Sequence, residues 1–247
     1  PSIELRSGRI MAVEALLRWQ HPLRGLIAPA EFVPVAENLG VVRQIDQWVM
    51  RAVLMKLKEW EQLGMPPIRV AINVSASWFG HHAFVESLSR ALMETGVAPA
   101  RLVLEITESS MLRLGEGTDQ IMHRLHALGV SVAIDDFGTG YSSLAYLKLP
   151  AITWLKIDRS FVRGLPDAND AAIIQAVLAI GKSLGLRTVA EGIETEAQHD
   201  FLLRAGCIEG QGYLYSQPLG AAEIERLLLP DPKLVKTRLQ LVSSDQT

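Results

Sequence analysis

The 247-residue chain holds one cysteine, Cys207, so an intramolecular disulfide and any cysteine-based zinc cluster are excluded. Its histidines, His21, His81, His82, His123, His126 and His199, show no zinc spacing with acidic partners and are expected to be structural or surface residues. No secretory leader pattern is visible, which makes a reducing, cytoplasmic setting the expectation, although the full-length protein can still be membrane-anchored. The longest charge-free apolar stretch, Ala171 to Gly181, is far short of the roughly 20 residues a membrane helix requires. No Lys/Arg block is present and the net charge is −3, which argues against a general DNA-binding or anionic-membrane surface.

What is present describes a folded domain. At 49% hydrophobic and 21% charged residues the chain can bury a large core, and its length suits one (β/α) barrel of roughly 250 residues. Strand-like runs at Arg9–Arg18, Arg69–Ser75, Arg101–Thr107, Val130–Asp135, Ile152–Ile157, Arg187–Glu191 and Cys207–Tyr213 alternate with amphipathic helical segments. The helical segments lie near Pro29–Leu39, Val41–Leu63, His82–Glu94, Glu116–Leu128, Ser142–Tyr146, Ala171–Leu184 and Thr195–Ala205. A further strand at Ser2–Leu5, turned by Ser7 and Gly8, brings the strand count to eight, the barrel number. In the helix from Trp48 to Trp60, Val49, Val53 and Leu57 read as a core-facing stripe. From Asp231 the chain turns polar, so residues 1–229 are expected to form the barrel and 230–247 a tail, the whole being excised from a longer multidomain protein.

Nearly every strand candidate ends in a residue that is costly to bury unless it has a task. Strand alternation puts Glu14 and Arg18 on the face of Ala12, Asn73 on that of Ala71, Glu105 on that of Val103, Asp135 on that of Ala133, and Lys156 on that of Trp154. In a parallel barrel these ends converge on one rim, the place where barrel enzymes hold their active sites, and Glu14, Asn73, Glu105, Asp135, Asp136, Lys156 and Glu191 would meet there. Clustered carboxylates at neutral pH are tolerated with cations between them, and an all-oxygen donor set favours Mg²⁺ or Mn²⁺ over zinc. Taken singly, Glu14 reads as a partner of Arg18, Asn73 as a turn former, Glu105 and Glu108 as helix-start caps, and Lys156 as a partner of Asp158. Their shared placement at strand ends is what those single readings leave unexplained.

Glu14-Ala15-Leu16-Leu17-Arg18-Trp19 carries the EAL signature. It is followed in order by Asn73-Val74-Ser75, Glu105-Ile106-Thr107-Glu108, Asp135-Asp136-Phe137-Gly138-Thr139-Gly140-Tyr141, Leu155-Lys156-Ile157-Asp158, Ala190-Glu191-Gly192-Ile193-Glu194 and Gln211-Gly212-Tyr213. Over roughly residues 3 to 229 the chain thus resembles the EAL family of cyclic di-GMP phosphodiesterases. The resemblance implies a modified (β/α)8 TIM-type barrel whose first strand is antiparallel, and hydrolysis of cyclic di-GMP to linear pGpG with two Mg²⁺ or Mn²⁺ ions. It implies Glu14, Asn73, Glu105 and Asp135 as ligands of one ion, and Asp135 and Asp136 as ligands of the other. Lys156 and Glu191 are then catalytic, and Arg18, Gln211 and Leu17 contact substrate. Glu194, Asp136, Phe137 and Gly138 would position a loop that couples the metals to a homodimer interface, with sensory or GGDEF-type domains expected upstream. No ligand of the set is missing, which favours an active enzyme over a silent cyclic di-GMP receptor. A barrel enzyme using a lysine base to abstract a proton beside a carboxylate is a third reading. Asp136-Phe137-Gly138 also matches a kinase tripeptide, but the chain lacks the accompanying Gly-rich and catalytic loops.

Overall fold

A computed structural model of the chain describes residues 1–115, 117–140 and 144–229. Eight strands close into a barrel: β1 (Ser2–Glu4), β2 (Ile10–Ala15), β5 (Arg69–Asn73), β6 (Leu102–Thr107), β7 (Ser131–Phe137), β8 (Ile152–Ile157), β9 (Arg187–Ala190) and β10 (Glu209–Gly210). The remaining pair, β3 (Trp19–His21) and β4 (Gly25–Ile27), forms a separate antiparallel hairpin. Around the barrel the order is β1-β10-β9-β8-β7-β6-β5-β2, closing on β1. Every neighbouring pair is parallel except those of β1, which runs antiparallel to both β2 and β10. The expected barrel with an antiparallel first strand is therefore the observed one.

The helices are α1 (Pro29–Asn38), α2 (Val42–Gln62), α3 (Ala76–Phe79), α4 (Phe84–Thr95), α5 (Glu108–Arg113), α6 (Thr118–Leu128), α7 (Arg159–Gly164), α8 (Ala168–Leu184), α9 (Glu196–Arg204) and α10 (Ala221–Leu228). α4 and α6 end at Gly96 and Gly129, whose φ of 70° and 80° supply the left-handed turn that sends the chain back to the next strand. Outward strand residues such as Ile72, Leu104, Ile134 and Leu155 pack with Leu54, Leu88, Leu125 and Ile174 of the helices. Each such buried side chain contributes about 1.5–3 kcal/mol. Inside the barrel the layer is small residues around one large one: Ala71, Val103, Ala133 and Val189 surround Trp154. Of the stripe in α2, Leu57 is buried and Val49 and Val53 are half-buried against the core, whereas Trp48 is 63% exposed.

Several expected bounds shift. The second barrel strand stops at Ala15, short of Arg18, because the chain turns out into the β3–β4 hairpin. That hairpin is closed by the ring of His21, whose Nδ1 accepts from the backbone N–H groups of Leu23 (3.1 Å) and Arg24 (3.2 Å). The strand expected over Cys207–Tyr213 shortens to Glu209–Gly210, since from Gly212 the backbone presses against Ile193: a Cβ on Gly212 would stand 2.1 Å from the Ile193 carbonyl oxygen. The helix expected from Ser142 is a 3₁₀ turn over Leu144–Lys148, its first residues lying outside the described ones, as do Glu116 and the tail 230–247. Among the described residues no helix is long and apolar enough to cross a membrane.

Candidate active site

The strand ends meet as their alternation requires. Above Ala71, Val103, Ala133, Trp154 and Val189, each two residues further along its strand, stand Asn73, Glu105, Asp135, Lys156 and Glu191. Glu14 joins them from β2 and Gln211 from the turn after β10. Lys156 Nζ is the hub: it lies 2.7 Å from Glu191 Oε1, 2.8 Å from Glu105 Oε2, 3.2 Å from Asp135 Oδ1 and 3.6 Å from Glu14 Oε2. It makes no ion pair with Asp158, which instead caps α7 by accepting from the N–H of Ser160. Gln211 Nε2 donates to Glu14 (3.0 Å) and Glu191 (2.8 Å), and Asn73 Nδ2 donates to Glu14 (2.9 Å).

Asp136 reaches the same rim by a different device. Consecutive strand residues point to opposite faces, so Asp136 should oppose Asp135. Between Ile134 and Phe137 the β7–β8 register slips, and Asp136 takes φ 53°, a left-handed conformation that aspartate tolerates better than most residues. Carboxylate oxygens of Asp135, Asp136 and Glu191 consequently lie within 4.8 Å of one another. Left-handed non-glycine residues carry strain and cluster at functional sites.

The electrostatics record the crowding. Burial pushes the Glu191 carboxyl up to about 7 despite Lys156, and burial together with Asp135 raises Asp136 to about 6. Glu105, fully buried, is held well above the usual carboxylate range. For Glu14 burial also acts upward, but Lys156, Gln211 and Asn73 outweigh it and hold this carboxyl low. Burial opposes the Lys156 charge, yet Glu105, Glu191, Glu14 and Asp135 together keep its pKa well above that of a free lysine. One ammonium faces five carboxylates, and three of those resist ionisation. An all-oxygen set with that charge deficit fits a hard divalent cation.

Beside the rim opens a cleft of about 880 Å³ lined by Glu14, Asp135, Lys156, Glu191 and Gln211 together with Leu16 and Arg18. Leu17 is not among its lining residues. Arg18 is exposed, and its Nη1 donates to the Leu17 carbonyl. Phe137 is buried, and Gly138 has φ 97° with Phe161 packed where a Cβ would stand. The carboxylate that touches this segment is Glu108, whose Oε2 accepts from Gly138 N at 2.9 Å and whose Oε1 accepts from Tyr146 Oη at 3.3 Å. Glu108 is fully buried, whereas Glu194 is exposed and, among the described residues, its side chain makes no hydrogen bond or ion pair with the segment, although it lines a cavity together with Asp136 and Thr139. Sequence reasoning placed Glu108 as a helix-start cap. Thr107 is the cap, accepting from Ser110 N.

The EAL domain model matches residues 1–218. The chain belongs to the EAL domain family. It is 44% identical over 225 residues to the bifunctional diguanylate cyclase/cyclic di-GMP phosphodiesterase MucR of Pseudomonas aeruginosa, a match covering 91% of this chain and 33% of MucR. It is 42% identical over 229 residues to the cyclic di-GMP phosphodiesterase NbdA of the same species, covering 92% of this chain and 29% of NbdA. This EAL domain thus spans about a third of the length of the curated relatives it matches. Among solved structures, the PaMucR phosphodiesterase in its c-di-GMP complex superposes with a TM-score of 0.86 at 44% identity, covering 91% of both chains. The EAL domain of Mycobacterium smegmatis DcpA superposes with a TM-score of 0.80 at 38% identity, covering 92% of this chain and 94% of the other.

Proposed function

We propose that this EAL domain hydrolyses cyclic di-GMP to linear pGpG, using two Mg²⁺ or Mn²⁺ ions as cofactors. The observation that carries the reading is the hub of Lys156 inside a complete ring of Glu14, Asn73, Glu105, Asp135, Asp136 and Glu191. Glu14, Asn73, Glu105 and Asp135 would hold one ion, and Asp135 and Asp136 the other. Bound there, such ions lower the pKa of a coordinated water and offset charge on the phosphate.

The chain's own residues do the rest. Lys156 orients the attacking oxygen by hydrogen bonding. Glu191 accepts its proton as that oxygen bonds to phosphorus and the bond to the leaving ribose oxygen breaks, the leaving oxygen taking a proton from solvent. Gln211 fixes Glu14 and Glu191 in one geometry, and Arg18 grips a non-bridging phosphate oxygen at the cleft edge. Leu17 shapes the approach to the cleft. Asp136, Phe137, Gly138 and Glu194 would position the loop that couples the metal site to the dimer interface. The domain is read as residues 1–229, since α10 is tied to the body by Trp60 Nε1 donating to Glu225 at 2.8 Å. It would act as a homodimer in the cytoplasm, downstream of sensory or GGDEF-type domains.

Chromatography of reaction products tests this. With Mg²⁺ or Mn²⁺ the protein should convert cyclic di-GMP to pGpG, and Glu14→Ala should abolish conversion while its circular dichroism stays native. Wild-type protein that binds the dinucleotide in Ca²⁺ but yields no pGpG in either metal would replace the enzyme with a receptor.

A further inference from the structure

Asp46 lies on α2, far from the rim in sequence, and belongs to none of the motifs. Its Oδ2 accepts two hydrogen bonds from one residue of the β5–α3 turn: the backbone N–H of Ser75 at 3.1 Å and the Ser75 hydroxyl at 2.5 Å. The same hydroxyl accepts from Trp78 N at 3.3 Å, so Ser75 caps α3 and is anchored to α2 at once. Asp46 makes no ion pair among the described residues, and the charge of Glu37 acts on it from α1. Burial, with that like charge, pushes its carboxyl up to about 6. A partly buried carboxylate with no cation costs stability, and one neutral acceptor would serve the cap alone.

What the anchor controls is the residue two positions earlier. Asn73 is exposed, and its side chain makes one hydrogen bond among the described residues, to Glu14. Its orientation therefore depends on the backbone on which it stands. That backbone is held at Val74, whose N–H donates to the Glu105 carbonyl at 2.9 Å, and at Ser75, whose carbonyl accepts from Trp78 and Phe79 of α3 at 3.1 and 2.9 Å and whose N–H donates to Asp46. The first bond sets β5 against β6. The α3 bonds are local to the turn, and the bond to Asp46 ties the turn to a helix distant in the chain.

We propose that Asp46 is a positioning residue for the metal site, fixing through Ser75 the turn that sets the Asn73 amide beside Glu14. This rests on the metal-dependent reading of the rim. Residues that orient ligands from behind typically change metal affinity or activity by about 10–100-fold when lost.

The experiment is a calorimetric titration of the purified chain with Mn²⁺ alone, followed by the Mn²⁺ dependence of cyclic di-GMP turnover, for wild type, Asp46→Ala, Asp46→Asn and Ser75→Ala. Asp46→Ala should weaken Mn²⁺ binding about tenfold and lose turnover at limiting metal, recovering at excess, while KM for the dinucleotide moves by less than about twofold. Asp46→Asn keeps an acceptor for both Ser75 donors and should stay within about threefold of wild type. Asp46→Ala with lowered thermal stability but wild-type Mn²⁺ affinity would reduce Asp46 to a structural residue. Should Asp46→Ala not fold, Ser75→Ala carries the test: it removes the hydroxyl bond and keeps the N–H bond, so weakened Mn²⁺ binding supports the proposal and unchanged binding overturns it. Wild-type protein that fails to cleave cyclic di-GMP sinks the enzymatic reading, while the Mn²⁺ titrations still decide the role of Asp46.

Discussion

At the upper end of the barrel Lys156 stands among Glu14, Glu105, Asp135 and Glu191; two residues below it on β8, Trp154 lies between two arginines. The guanidinium carbons of Arg69 and Arg187 sit 4.6 and 4.5 Å from the Trp154 ring, one from β5 and one from β9. Arg187 also pairs with Glu209, which is 1% exposed. Both ends carry charge on the inward face of the same strands, but only the lower end is matched from within. There the cations find aromatic faces and a carboxylate. At the rim the carboxylates outnumber the lysine, and burial drives Glu191, Asp136 and Glu105 toward their neutral forms. A protein can close its floor with such pairs, whereas a surplus of one charge on a rim calls for an ion from outside.

The contrast is breakable by substitution. Lys156→Ala, assayed at saturating Mn²⁺, should lower turnover by about 10²–10³-fold, the range for losing a hydrogen-bond donor to the reacting oxygen. A loss under tenfold would make Lys156 a mere counter-charge. Trp154→Ala should instead act on stability, costing about 3–5 kcal/mol in urea unfolding because it empties the centre of the interior layer. Folded Trp154→Ala protein should keep wild-type Mn²⁺ affinity; a parallel loss of affinity would merge the two ends into one unit.

The eight strands and their inward residues were legible because a two-residue period is a local property. Ala71 with Asn73, Val103 with Glu105, and Trp154 with Lys156 follow from it directly. Period failed where the chain leaves the strand. Arg18 lies past the end of β2 and reaches the cleft by a turn, and the β3–β4 hairpin depends on a histidine ring closing on the backbone. The short helices α3, α5 and α7 offer too few turns for a helical period to show. Glu108, Asp46 and the Arg69–Trp154–Arg187 stack act across distances in the chain that no spacing rule reaches. The motif order identified the rim residues, but not that Asp136 needs a register slip to join them.

A smaller effect separates the ends by pH. In metal-free protein Glu191 binds its proton up to about pH 7, against about 4.5 when unfolded, so the folded state holds more protons in that window and stability falls as pH rises through it. The loss should be on the order of 2 kcal/mol between pH 4.5 and 7.5, shrinking in Glu191→Gln and on adding Mn²⁺. Urea midpoints that are flat with pH without metal would contradict the charge surplus. The smallest effect concerns Cys207, buried beside the matched end, with its thiol pushed up to about 11 by burial. Native protein at pH 8 should resist thiol-specific labelling until it unfolds, and rapid labelling would show that this end opens to solvent.

Anomalous diffraction from crystals of Glu191→Gln grown with Mn²⁺ and cyclic di-GMP decides whether the surplus of rim carboxylates holds divalent cations against a cyclic dinucleotide. Two manganese peaks bounded by Glu14, Asn73, Glu105, Asp135 and Asp136, with a phosphate of the dinucleotide against them, are the predicted result. A bound dinucleotide with no manganese at the rim would contradict it.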